Sequence, residues 1–452
     1  MKNSEIQNNP SYQISKAFLI LSFIYLIMGL CFGMLGAIQF NETSFLKEQF
    51  SFQKTRPLHV YLVLSWLFTA AQALIYYFIS DFTSQKLHKP KLAWLHFGLQ
   101  VFSSTLIVYC FFTGRFGGRE YLEFPPLVGL LVLLSWIPFA YNFIKTLKPD
   151  FKNAPVYVWS WSTGILFFFI TFSESYLWIF DYFGANIIRD ITIQWKALGS
   201  MVGSWNMMIY GSAMYVMEKI SKDKKLCQSP LAFFMYFLGL TNLMFNWGHH
   251  TYIVPAAPWI KQVAFIISMT ELLILGHIIW KWRKTLSAAV KNYHNLAYRF
   301  LSFADGWIFL NLTLAILISI PAINFFTHGT LITVAHAMGA TIGINSMLIL
   351  GSVFFILQSE MIPGIERHKK LIGINMTITN LSLLVFWISL ILGGLVKISG
   401  NIQNKSFYEI MNNLSTYLKF MATSGLFLTL GLSIISLLTV KILRSKKSFQ
   451  ND

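Results

Sequence analysis

Long apolar stretches with few charged residues return along the whole of this chain, and they decide what it can fold into. A helix that crosses the hydrocarbon core of a bilayer needs roughly 20 such residues. Twelve stretches qualify, at about 17–40, 57–80, 92–113, 126–144, 155–180, 194–217, 228–252, 258–280, 302–326, 330–357, 371–396 and 414–440. Charged residues make up only 12% of the 452, against about 25% in a soluble globular chain. That excludes an ordinary soluble enzyme and a disordered protein. Cys31, Cys110 and Cys227 lie in or beside apolar stretches and form neither a disulfide framework nor a Cys-x-x-Cys motif. No connecting segment is long enough for a soluble domain. The expected fold is therefore an all-α integral membrane protein of twelve transmembrane helices. It forms one domain over 1–452, with an N-terminal segment 1–16 and a C-terminal tail 441–452 outside the membrane. The first stretch follows a polar segment without a cleavage site, so no signal peptide is expected.

Lysine and arginine orient such a chain, because they accumulate on the cytoplasmic side. The chain holds 35 of them against 18 acidic residues, for a net charge of +17. Placed on alternate sides of twelve spans, most fall on the side that carries both termini, including Lys224–Lys225, Lys281–Arg283–Lys284 and Lys369–Lys370. Both termini are expected in the cytoplasm. The basic excess is a topology signal and implies no nucleic-acid partner.

The polar residues inside the spans are mostly histidines, and they collect near the ends opposite the termini. His59 opens the second span in Arg56-Pro57-Leu58-His59. His249 and His250 close the seventh in Asn246-Trp247-Gly248-His249-His250. His328 precedes the tenth and His336 stands inside it. One intramembrane histidine is usually packed with its ring nitrogen satisfied. Several at one depth on different helices point to a metal or heme site, because neutral imidazole is the commonest metal ligand. Neighbours on a helix point about 100° apart, so His249 and His250 reach one ion only if the helix end loosens, as Pro255 and Pro258 just beyond would permit. A polar helix end is the competing reading.

At these residues the sequence resembles the catalytic subunit of the heme-copper oxidase and nitric oxide reductase superfamily, the reductase branch above all. The likeness runs over nearly the whole chain and implies a subunit I-like helical bundle in a bacterial inner membrane. Arg56-Pro57-Leu58-His59 is similar to the motif that ligates the low-spin heme. Gly118-Arg119-Glu120-Tyr121-Leu122-Glu123 is similar to the outer loop that holds calcium beside heme propionates, which marks Arg119 and Glu120. His249 and His250 match two ligands of the non-heme metal. Thr327-His328-Gly329-Thr330, followed by His336, matches the run leading to the proximal ligand of the high-spin heme. Glu271 stands where the reductases carry a buried glutamate beside the active site.

The chain departs from the family pattern at two places. The third metal ligand of the family is a histidine in the sixth span, and the matching position here is Asn206. An amide oxygen is a harder ligand than imidazole and suits iron better than copper. Tyr210 lies one turn further on the same face. Without an imidazole at 206 it has no partner for the cross-link found in most oxidases. The second departure is Met338, where the family has histidine. Two residues along a helix turn the side chain by about 200°, so Met338 faces away from His336. Either it ligates the low-spin heme opposite His59, which would raise that heme's potential, or it is packing.

The resemblance thus implies a membrane oxidoreductase with two b-type hemes, one non-heme metal (iron in preference to copper) and a calcium ion at the outer loop. Its reaction would be the reduction of NO to nitrous oxide. The alternatives are a terminal oxygen reductase of the same superfamily and, outside catalysis, a heme-bearing sensor or a transporter. No Cys-x-x-Cys-His motif offers a covalent heme. Electrons would therefore come from a separate cytochrome c, a cupredoxin or quinol.

Overall fold

The computed structural model describes residues 9–148 and 151–445, and of residues 271–282, 285, 288 and 289 the backbone only. Helices follow one another through the described chain. The twelve long ones are α1 (Pro10–Asn41), α2 (Phe52–Thr83), α3 (Pro90–Phe112), α4 (Pro126–Leu147), α5 (Val156–Glu174), α6 (Ile187–Ser221), α7 (Pro230–Phe245), α8 (Pro258–Thr285), α9 (Asn295–Ile318), α10 (Leu331–Glu360), α11 (Ile362–Ile402) and α12 (Phe407–Arg444). They match the twelve apolar stretches in order. Among the described residues, nine are long and apolar enough to cross a membrane. Two of the other three miss that measure for visible reasons. The middle of α6 is rich in Gly and Ser. The regular part of α7 is 16 residues long before it tightens into a 3₁₀ segment, Asn246–Thr251.

Local sequence sets several helix ends. Asn9 caps α1 by accepting from Ser11 N, so this helix starts at Pro10 and takes up part of the segment expected to lie outside. Asn186 caps α6 through Ile188 N and Arg189 N. Ser406 and Glu409 form a reciprocal capping box at the start of α12. Helix α2 begins at Phe52 and carries Pro57 inside its second turn, whereas the sequence pattern put the span's start at Pro57.

Helix α1 packs on α2, α3 on α4, α5 on α6, α9 on α10 and α11 on α12, and α12 returns to α1. Helices α2, α6 and α10 touch one another inside this arrangement. Within their apolar windows, 83% of α2 and 78% of α10 is buried, against 28–56% for the other seven spans. The two most buried spans thus carry His59 and His336 with Met338, and α6, which touches both, carries Asn206. Aromatic packing fills the α2–α4–α5–α6 side, where Trp136 stacks on Phe168 at 3.7 Å and Phe68 meets Trp136, Phe168 and Trp205 edge-on.

Helix α10 is not regular. Directly after Met338 it widens into a π-helical stretch, Gly339–Ser346, a form that concentrates at functional sites. The stretch ties α10 to both interior neighbours. Trp66 Nε1 on α2 donates to Ser346 Oγ at 3.0 Å, and Asn345 Nδ2 donates to Asn206 Oδ1 on α6 at 3.1 Å.

Candidate heme and metal centre

The two vicinal histidines sit on the 3₁₀ segment that follows α7, a tighter winding in which neighbouring side chains stand about 120° apart. Their rings are 4.2 Å apart, centre to centre. His250 stacks on Trp195 of α6 at 4.4 Å with the planes within 8°, and His328 approaches both rings edge-on at 6.2 Å. His336 lies within electrostatic reach of His249 and His250. Residues from α6, the end of α7, the approach to α10 and α10 itself therefore converge. The close seating of α7 on α6 depends on Gly199, where a Cβ would stand 2.5 Å from Trp247 Cβ.

Three of these histidines share one arrangement. His59 Nδ1 lies 2.8 Å from Gly29 O, and His249 Nδ1 lies 2.8 Å from Asn246 Oδ1. His336 Nδ1 faces the Asn311 amide, at 3.3 Å from its Nδ2. Asn311 Oδ1 has no hydrogen-bond partner although it is buried. Turning that amide by 180° would let the oxygen accept from an Nδ1–H. With Nδ1–H donated to an oxygen, each ring keeps Nε2 as a lone-pair donor. This is the state in which protein histidines bind metals. Close approach is built in at two of the three. A Cβ on Gly33 would come within 2.7 Å of the His59 ring, and one on Gly339 within 2.3 Å of Asn311 Oδ1. The donor set thus fits axial ligation of heme iron at His59 and His336, and metal ligation at His249.

The remaining candidate residues divide. Asn206 is half-buried, and its Oδ1 is already held by Asn345, which fixes the amide and leaves one lone pair. Among the described residues, no three His, Cys, Asp or Glu side chains gather in a way that could hold a metal. Any ion here would draw on the histidine pair and amide oxygen. Tyr210 is 37% exposed. Met338 is half-buried and packs into a cluster that includes Ala37 of α1, Leu418 of α12 and Phe386 of α11. The side chain of Glu271 lies outside the described residues.

The outer loop departs most from expectation. Arg119 does not pair with its neighbour Glu120. It reaches Asp190 Oδ2 in the first turn of α6 at 2.6 Å and lies over the Trp178 ring. Glu120 is bound by Arg56, whose other nitrogen holds Glu123 Oε1 at 3.0 Å. The same guanidinium lies over Tyr121, which adopts a left-handed φ of 70°. The loop is thereby pinned to α2 through Arg56, one turn before His59, and to α6 through Arg119. The cation between its carboxylates is Arg56, and among the described residues no third carboxylate, cysteine or histidine joins them. A calcium ion at these carboxylates would have to displace the Arg56 guanidinium.

Sequence reasoning missed Asn246, Asn311, Asn345 and Trp195. The amides had a signal: asparagine inside a membrane span is costly and rare. Asn246 lies three residues before His249, on the same helical face. Trp195 had none, because aromatic residues near span ends are usually interfacial anchors.

An all-helical bundle with one imidazole geometry repeated on separate helices is the framework of a membrane redox protein, and comparison with known proteins agrees. The family model described as cytochrome c and quinol oxidase polypeptide I matches residues 13–427. The chain belongs to that family. It is 21% identical to a nitric oxide reductase chain of Stutzerimonas stutzeri over 370 residues, 76% of this chain and 75% of the relative. It is 22% identical to the cbb3-type cytochrome c oxidase subunit CcoN1 of the same organism over 409 residues, covering 86% and 82%. A heme-copper terminal oxidase solved by cryo-EM as a dimer has the same fold, with a TM-score of 0.74 at 14% identity over 97% of this chain and 85% of that one. The protein is a multi-pass membrane oxidoreductase of this family.

Proposed function

We propose that the protein is a nitric oxide reductase-like catalytic subunit, converting two NO, two electrons and two protons to nitrous oxide and water. In this reading His59 and Met338 hold a low-spin heme b, and His336 holds a high-spin heme b. His249, His250 and Asn206 hold a non-heme iron. When bound, these groups supply the electrons and the sites at which gas binds. The chain's own residues position them. Gly29, Asn246 and Asn311 orient the imidazoles, Asn345 orients the Asn206 amide, and Trp195 braces His250. Tyr210 and Glu271 are the candidates for carrying protons. Arg56 and Arg119 hold the outer loop over the site, with His328 beside it.

The observation that carries the reading is the oxygen 2.8 Å from Nδ1 of both His59 and His249, with the Asn311 amide beside Nδ1 of His336. The preference for NO rests on Asn206. An amide cannot form the histidine–tyrosine cross-link, which serves oxygen reduction as an extra electron source. Coupling two NO needs only two electrons, which two reduced metals hold. The longer match to a cbb3-type oxidase subunit supports oxygen reduction as the second reading. Electron delivery by a cytochrome c, a cupredoxin or quinol, location in a bacterial inner membrane and cytoplasmic termini complete the proposal.

The test is turnover of the purified, reduced protein with each gas. NO consumption at one nitrous oxide per two NO, with slow or incomplete oxygen reduction, supports the reductase. Fast four-electron oxygen reduction with copper at the site would overturn it.

A further inference from the structure

We propose that the cleft between α9 and α11, at the end where α11 begins, binds the headgroup of an anionic phospholipid. The cleft has a volume of about 740 Å³ and is lined by Arg299 of α9 and by Lys369 and Lys370 of α11. Glu366 is the one carboxylate in the described lining, and Lys369 already holds it at 3.2 Å. Arg299 and Lys370 are left as the cations facing the space. Arg299 reaches across to α11. Its Nη2 lies 3.5 Å from Gly373 O, and a Cβ on residue 373 would stand 2.7 Å from Nη1, so glycine leaves the guanidinium room against α11. A guanidinium suits phosphate oxygens, which it can bind through two parallel donors.

The wall continuing from these cations is apolar. Lys370, Ile374 and Ile378 lie at i, i+4 and i+8, one stripe of α11. Ile374 and Ile378 are 47% and 38% exposed. Lys370 is also the last charge before the membrane, since 371–396 carries none. At about 1.5 Å per residue that stretch is long enough to cross the roughly 30 Å hydrocarbon core. The cations therefore sit at the headgroup level and the isoleucines at the level of the acyl chains. A soluble phosphate ester would use the first and leave the second bare. A phospholipid uses both, and basic pockets between spans are where such headgroups bind.

The inference depends on the chain spanning a membrane and not on which gas it reduces. Delipidated holoprotein in detergent is titrated separately with cardiolipin, phosphatidylcholine and inorganic phosphate, with bound adducts counted by native mass spectrometry. Cardiolipin is expected to bind at least tenfold more tightly than phosphatidylcholine, with inorganic phosphate unable to displace it at equal concentration. Lys370→Gln should weaken cardiolipin roughly fivefold, the effect of about one cation near a headgroup. Arg299→Gln should weaken it further, and heme content should stay unchanged in both. Lys370 is exposed, so its variant decides the matter even if the Arg299 variant fails to fold. Equal binding of the two lipids, wild-type cardiolipin affinity in Lys370→Gln, or displacement by phosphate alone would each overturn the proposal.

Discussion

At the scale of single residues, the histidines matter less for where they stand than for what holds their far nitrogens. Asn246 Oδ1 accepts from His249 Nδ1 and from Ser268 Oγ at 2.7 Å, so this amide ties the histidine pair to α8. Removing an oriented partner of a metal ligand typically costs 10–100-fold in metal affinity. Asn246→Leu should therefore lose non-heme metal by roughly that factor while keeping its hemes, as measured by elemental analysis beside a hemochrome assay. Unchanged metal content would show that His249 is not a ligand. Met338 is tested by its chemistry. Met338→His should lower the potential of the low-spin heme and keep it six-coordinate, whereas an unaltered potential would assign Met338 to packing.

Glu123 offers a pH test outside the membrane spans. Burial, partly offset by Arg56, raises its carboxyl above the ordinary value of 4.5. Just above that pH the folded protein holds a proton that the unfolded chain has released, so stability falls as pH rises through the window. Glu123→Gln should flatten that part of the thermal-midpoint profile; an unchanged slope would contradict the assignment. None of this was legible beforehand. The sequence marks Arg56 and Glu123 as charges near one span end, but only the turn at Gly118–Glu123 brings both carboxylates to one guanidinium.

At the scale of elements, the hydrophobic pattern located the helices because apolar runs of about 20 residues have few other uses. It misjudged ends, since caps and prolines work over one or two residues. Asn9 starts α1 early, and Pro57 sits inside α2 instead of opening it. The end of α7 tightens into a 3₁₀ turn instead of loosening as the His249-His250 pair and the prolines beyond suggested. The π-helical stretch in α10 was not legible as such, although its Gly, Thr, Asn and Ser residues are poor α-helix formers. Its link to α2 through Trp66 and Ser346 is a neutral hydrogen bond between buried groups. Trp66→Phe should cost about 0.5–1.5 kcal/mol, read as a lowered thermal midpoint with heme content retained. Loss of both hemes would mean that this contact sets the site itself.

At the scale of the whole molecule, three interior helices carry most of the candidate ligands, and the other long helices enclose them. That division explains why the family was readable from scattered motifs while the chemistry was only partly so. Asn206 and Met338 depart from the family at positions where one side chain changes the metal, the potential and the substrate. Orientation follows from charge alone and can be checked separately. Single cysteines placed at either terminus, in a background without the native three, should label only in opened cells.

Histidines on separate helices are expected to hold two hemes in this chain. Pyridine hemochrome analysis of the purified protein measures this most directly. Two hemes b per chain are expected, with one remaining in His336→Ala, and its spectrum should be that of the low-spin heme. A stably folded wild-type protein that carries no heme would contradict the account.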